Sequence, residues 1–126
     1  MGRILALDYG TKRIGVALSD ATKRISQPKP YILNSEKDKL GELIKDNEVE
    51  EILLGLPLGL SSQITASTKK VREFQMWLKQ KFYIPIKMID ERLTTKEAKR
   101  METNKELIDS LVAQKMLERY LENLRK

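Results

Sequence analysis

The chain has 126 residues, enough for one domain with a two- or three-layer core and too few for a second. Its 24 Lys and Arg against 18 Asp and Glu leave a net charge of +6, which favours an anionic partner such as nucleic acid without requiring one. Neither Cys nor His occurs, which excludes disulfides, thiolate nucleophiles, zinc–thiolate sites and the usual general base near neutral pH. Any catalysis must then rest on carboxylates, Lys, Tyr or hydroxyls, and carboxylate oxygens suit hard cations such as magnesium or manganese. No run approaches the length of a transmembrane span and no charged-then-apolar leader opens the chain, so the expectation is a soluble cytoplasmic protein with no membrane partner. Residues 1–126 read as a single domain, and nothing in the pattern fixes an oligomeric state.

Ile4 to Leu7 is a short continuous apolar run, the signature of a strand buried on both faces. It ends at Asp8, and Tyr9 to Arg13 form a turn before Ile14, Val16 and Leu18 alternate as a second strand, giving an opening hairpin. A third extended stretch, about Ile25 to Leu33, carries Pro28 and Pro30 and belongs at a sheet edge. Ser35 and Asp38 form a candidate capping box ahead of a short helix through Leu40, Leu43 and Ile44. Glu51 to Leu56 reads as a buried strand stopped by Pro57. A loop, Leu58 to Thr65, leads into a helix running to about Phe82 with Val71, Phe74, Leu78 and Trp77 as its inward residues. Ile84 to Ile89 is the last strand. Thr94 and Glu97 form a second capping box, and helical pattern continues in two pieces from there. The order implies an α/β fold with a mixed sheet of five strands, three antiparallel at the start and the others alternating with helices.

Three of the six Asp residues follow apolar runs: Asp8, Asp90 and Asp109. In open sheets, ligands bind beyond the C-terminal ends of the strands, and Asp8 and the Asp90-Glu91 pair sit at two such ends. Strand parity leaves Asp90 and Glu91 as alternatives. Asp109 shares a helical face with Ala113, Met116, Tyr120 and Leu124, which points it toward the sheet; an N-cap role before Ser110 is the alternative. Each acid taken alone is equally at home capping a turn or a helix. Should three carboxylates converge, their repulsion demands a cation, and two divalent ions about 3.5–4 Å apart can drive phosphodiester hydrolysis without His. Lys12 and Arg13 beside Asp8, and Lys96, Lys99, Arg100 and Lys105 after the second acid, would suit a phosphodiester backbone. Thr11 with the Gly10 and Thr11 amides either holds a phosphate or completes the hairpin. Lys69, Lys70 and Lys81 read as solvated surface, and Phe74, Trp77 and Tyr83 as packing rather than base-stacking platforms.

The run Ala6-Leu7-Asp8-Tyr9-Gly10-Thr11-Lys12-Arg13-Ile14-Gly15-Val16-Ala17 resembles the opening of the YqgF/RuvX family. The resemblance recurs at Gly55-Leu56-Pro57-Leu58, at Asp90-Glu91-Arg92-Leu93-Thr94-Thr95 with Ala98, and at Asp109-Ser110, in the family's order across nearly the whole chain. It implies an RNase H-like fold related to the Holliday junction resolvase RuvC. It also implies a nuclease that matures the 5′ end of the 16S rRNA precursor, with magnesium or manganese as cofactor. By the family's motifs Asp8, Glu91 and Asp109 would be the catalytic and metal-binding acids, and Arg92, next to the acid pair, would be a phosphate contact; Thr11, Lys12, Arg13, Lys99 and Arg100 are candidate substrate contacts by position and charge alone. The partner implied is structured RNA, with branched DNA as the alternative substrate and a non-catalytic nucleic-acid-binding module as a second alternative. Asp8-Tyr9-Gly10-Thr11 also resembles the phosphate loop of actin-like ATPases, which close two domains around a nucleotide where this chain has room for one. Two departures fall where substrate is expected: Gly59-Leu60-Ser61-Ser62-Gln63-Ile64 replaces the family's more polar loop, and the segment from Ala98 to Asp109 is short.

Overall fold

The computed structural model describes residues 2–56, 66–90 and 105–124, with backbone alone at 66, 67, 90 and 105–109. Strands β1 (Arg3–Asp8), β2 (Arg13–Ser19) and β3 (Ser26–Leu33) come first, followed by a 3-10 segment (Asn34–Lys39), helix α1 (Leu40–Asp46) and β4 (Val49–Leu56). Helix α2 (Ala66–Lys81), β5 (Ile86–Asp90) and helix α3 (Lys105–Leu124) complete the described elements. The sheet order is β3-β2-β1-β4-β5. β2 is antiparallel to both β1 and β3, whereas β1, β4 and β5 run parallel. The five-stranded mixed sheet expected from the sequence is therefore present, with β3 and its two prolines at an edge where a missing N–H breaks no ladder.

Ile4, Leu5, Ala6 and Leu7 of β1 are all buried, because helices cover both faces of the sheet. Each fully buried Leu or Ile contributes about 1.5–3 kcal/mol of transfer free energy. Alternation divides the side chains unequally. Leu5, Leu7, Ile14, Val16, Leu18, Ile52 and Leu54 meet Leu40 and Ile44 of α1 and Val71, Phe74 and Leu78 of α2. The opposite face offers Ile4, Leu53 and the small side chains of Ala6 and Ala17, against which Ala113, Met116, Leu117 and Leu121 of α3 pack. A face lined by alanine lets a helix lie close, and α3 fills the space with Met and Leu.

The Ser35 capping box is not formed. The segment opens as a 3-10 turn whose N-cap position is Leu33, with no side-chain cap bond. Asn34 is instead drawn back toward the β1–β2 turn, so the chain enters the helix through tightened geometry. Leu40 and Ile44 are buried as expected, with Leu43 half-buried. The last strand begins at Ile86 rather than Ile84, where Ile52 supplies its first register partner. Tyr83 is wholly exposed and packs on nothing. The second capping box, the loop 58–65 and the first helical piece after β5 lie outside the described residues.

Candidate active site

Because β1, β4 and β5 are parallel, their C-terminal ends share one rim of the sheet. Leu7 is level with Leu54, Leu54 with Met88, and Leu56 with Asp90. Asp8 and Asp90 thus close two strands separated only by β4, about 10 Å apart across the sheet at ordinary strand spacing. Asp8 is half-buried and continues the row of Ile4 and Ala6, the row that packs on α3. On β5, Ile86 and Met88 pack with the α1/α2 core, whereas Ile89 packs with the α3 core. Ile89 therefore shares the face of Asp8.

Helix α3 runs antiparallel to β1, and two polar contacts fix its level. At one end the Tyr120 hydroxyl donates to Glu51 Oε2 at 3.2 Å, and Glu51 is the register partner of Ile4. Burial pushes the Tyr120 pKa up, and the Glu51 carboxylate adds to the shift. At the other end buried Ser110 joins helix to sheet. Its hydroxyl accepts from Val16 N–H at 3.3 Å and donates to the Lys29 carbonyl at 2.6 Å. Val16 pairs with Leu7, and Gly15 pairs with Asp8. Position 109, one residue before Ser110, is consequently at the height of the Asp8 rim.

The Ser110 contact depends on an irregularity in the sheet. Ile14 pairs with Ile32 and Val16 with Lys29, so Pro30 and Tyr31 of β3 oppose Gly15 alone. Such a bulge disrupts the ladder locally, and the Ser110 hydroxyl occupies the gap between the Val16 N–H and the Lys29 carbonyl. Asp109 is the fifth residue of α3, which rules out the N-cap role before Ser110. The apolar stripe is rotated slightly from the expected one: Ala113 and Met116 are buried and Tyr120 half-buried, but Leu124 is 52% exposed and Leu117 and Leu121 take its place.

The turn after Asp8 is held from both sides. Tyr9 rests on Phe74 of α2, with ring centroids 4.6 Å apart. The Asn34 side chain donates to the Gly10 carbonyl at 2.9 Å, and its backbone N–H donates to the Lys12 carbonyl at 2.8 Å. A Cβ on Gly10 would fall 2.3 Å from the Arg13 carbonyl oxygen, so only glycine fits this turn. Thr11 and Lys12 project from the braced turn as exposed side chains. Arg13 is half-buried with its guanidinium 5.5 Å from the Tyr31 ring centroid, on the β3 side of the turn.

Of the predicted triad, Asp8 alone has a described side chain, and among the described residues no three acids gather as a metal-binding group. Asp109 is placed by its backbone. Glu91, Arg92, Lys99 and Arg100 lie outside the described residues. Sequence reasoning missed Asn34, and it named Ser110 only as part of the Asp109-Ser110 block, with no role of its own. Asn34 carries no periodic signal, and Ser110 reads as an ordinary polar residue until the bulge beneath it is known. Among the described residues no helix is long and apolar enough to cross a membrane.

Residues 2–123 match the family described as "RuvX: Holliday junction resolvase". The chain belongs to this family. It is 41% identical to a protein of Koribacter versatilis, over 96% of this chain and 87% of that one, and 40% identical to one of Sulfurihydrogenibium, over 98% and 92%. Both relatives are named as candidate pre-16S rRNA nucleases. Among solved structures the fold is similar to Thermus thermophilus RuvC in complex with a Holliday junction substrate. That match has a TM-score of 0.60 at 11% identity and covers 99% of this chain and 96% of that one. It is also similar to the yeast mitochondrial Holliday junction resolvase Ydc2, with a TM-score of 0.51 at 10% identity, covering 98% and 80%. At such identities the likeness establishes the fold, which is RNase H-like.

Proposed function

We propose that this RuvX-family hydrolase cleaves phosphodiester bonds at the rim formed by Asp8, Glu91 and Asp109, acting in the cytoplasm on the 5′ end of precursor 16S rRNA. The observation that carries the reading is the levelling of Asp109 with Asp8 by the Ser110 bridge, which brings two acids 101 positions apart in sequence to one rim on the same face of the sheet. Ile89 of β5 shares the face of Asp8, and Glu91, which follows β5 in sequence, is the second acid by the family's motif.

The donor chemistry fits a hard divalent ion. The available ligands are carboxylates, the chain has neither His nor Cys, and the half-buried Asp8 is shielded enough to bind without being sealed from substrate. Asp8, Glu91 and Asp109 would hold magnesium or manganese, which when bound supplies Lewis-acid stabilisation and lowers the pKa of water at the scissile phosphate. The chain's own residues bind and orient the backbone. Thr11 and Lys12, exposed on a turn braced by Tyr9 and Asn34, contact a phosphate next to the scissile one, and Arg92, Lys99 and Arg100, which follow β5 in sequence, supply further phosphate contacts. Arg13 serves the strand from the Tyr31 side.

RNA is preferred to a branched DNA because relatives at about 40% identity over nearly the whole chain carry the rRNA name. The family description favours the junction as the second reading. The test incubates the protein with a labelled precursor rRNA 5′ leader and with a four-way DNA junction, in magnesium or manganese, beside Asp8→Asn. Cleavage of the leader by the wild type with at least a hundredfold loss in the variant is expected. Cutting of the junction alone transfers the assignment to a resolvase, and full activity of Asp8→Asn removes Asp8 from the chemistry.

A further inference from the structure

The two helical layers differ in charge in a way the overall +6 conceals. Helix α2 carries Lys69, Lys70, Arg72, Lys79 and Lys81 against Glu73 alone. Helix α3, on the other face, carries three cations, Lys105, Lys115 and Arg119, against the four acids Glu106, Asp109, Glu118 and Glu122. One layer is strongly basic and the other slightly acidic. Nucleic acid is drawn to the first.

On α2 the inward residues are Thr68, Val71, Phe74 and Leu78, so Lys69, Arg72, Met76 and Lys79 fall together on the outward side, with the acid Glu73 one turn from Lys69. All four are exposed, and none of the three cations has an ion-pair partner among the described residues. The ten helical steps from Lys69 to Lys79 rise about 15 Å, the rise of four or five phosphates along one strand of a duplex. Asp8 faces α3 on the other side of the sheet, so an arm lying on α2 reaches it over the strand rim. Tyr9, which follows Asp8, rests on Phe74, and α2 descends from the strand rim, so Lys69 and Arg72 lie on the rim side of that contact.

The face is suited to backbones rather than bases. Phe74 is buried, and the half-buried Trp77 ring is stacked on Phe74, met edge-on by Phe82 and approached by Lys37 at 4.8 Å and Lys81 at 5.9 Å. No aromatic ring lies on the outward arc of α2 itself, and the exposed Tyr83 ring stands two residues beyond its end. Single-strand binders combine cations with open aromatic platforms, whereas cations alone track a duplex backbone. We propose that the outer face of α2 holds the double-stranded arm flanking the scissile phosphate, through Lys69, Arg72 and Lys79. This rests on the nuclease reading above and adds the side of the molecule from which substrate approaches.

The experiment measures affinity for a hairpin-bearing precursor rRNA leader as a function of salt, using wild type and the triple variant Lys69→Glu, Arg72→Glu, Lys79→Glu. A control triple variant, Arg24→Glu, Lys45→Glu, Lys115→Glu, changes net charge equally at exposed or half-exposed positions away from α2. Losing three phosphate contacts should lower the slope of log K against log salt by about 2 to 3, and affinity near 100 mM salt by about tenfold or more. The control should keep the wild-type slope. Cleavage of a short oligonucleotide that cannot reach α2 should be equal in all three proteins. Equal slopes for wild type and the α2 variant overturn the proposal, as does an equal loss in the control, which would reduce the effect to net charge. A wild type that neither binds nor cleaves the leader overturns the nuclease reading itself, a result distinct from a wild type that binds with a slope α2 does not set.

Discussion

Replacing Ser110 by Ala tests the link between fold and site most directly. The substitution removes one hydroxyl and with it the bonds that it makes to two backbone groups, the Val16 N–H and the Lys29 carbonyl. Val16 is fully buried, so its N–H loses the bond with no access to water, a cost of about 1–3 kcal/mol. The 3.3 Å length of that bond places the loss toward the lower end. Lys29 is half-buried and its carbonyl is partly rehydrated, adding about 1 kcal/mol. Alanine's better helix propensity returns about 0.5 kcal/mol. The net destabilisation is about 2 kcal/mol, and for a chain of 126 residues this lowers Tm by about 8 °C. Thermal and urea unfolding followed by circular dichroism give the number. Ser110→Thr keeps the hydroxyl and should recover part of the loss, limited by a methyl group forced into a buried site. A Tm drop below about 2 °C in Ser110→Ala would refute the argument that this hydroxyl closes the bulge.

Two further outcomes follow from local geometry. Glu48 lies just beyond the α1 C-cap with φ of 50°, a left-handed conformation glycine adopts without strain. Glu48→Gly should stabilise the protein by about 0.5–1 kcal/mol, read as a Tm rise of about 2–4 °C; a fall would show that the Glu48 side chain compensates for its backbone. The Asp20 carboxylate accepts from the Thr22 hydroxyl and from the backbone N–H groups of Ile25, Arg24 and Thr22, which holds its pKa well below the ordinary carboxylate value. Because the folded pKa is depressed, the associated stability is present above about pH 4 and is lost as pH falls toward the folded value. Tm measured from pH 6 to pH 2 should fall more steeply for the wild type than for Asp20→Asn, and parallel curves would refute the assignment.

The sheet was legible because its strands are short, apolar and bounded by turn residues. Ile4–Leu7 could be nothing but a strand covered on both faces, and Pro28 with Pro30 left β3 only an edge. Asp8 was legible for the same reason, as the residue that ends the apolar run. What remained hidden were the devices that set heights and angles. The capping box at Ser35 is a local pattern overruled by a tertiary contact, since Asn34 is held by the β1–β2 turn. The Ser110 bridge joins positions 94 and 81 residues apart, a separation at which neither periodicity nor spacing carries a signal. Asp90 and Glu91 stay alternatives, because Glu91 and the Asp90 side chain lie outside the described residues.

The bulge in β3 also has a dynamic consequence. An edge strand has one neighbour, and this one carries two prolines and a ladder broken at Pro30 and Tyr31, so it opens at a lower free energy than the centre of the sheet. Each excursion of β3 takes the Lys29 carbonyl away from Ser110 and releases one of the two ties that hold the start of α3. Fraying at the sheet margin thus loosens the polar anchor of α3 beside position 110, while its apolar face stays packed on the sheet. Amide hydrogen exchange at β3 is expected to be faster than exchange at β1.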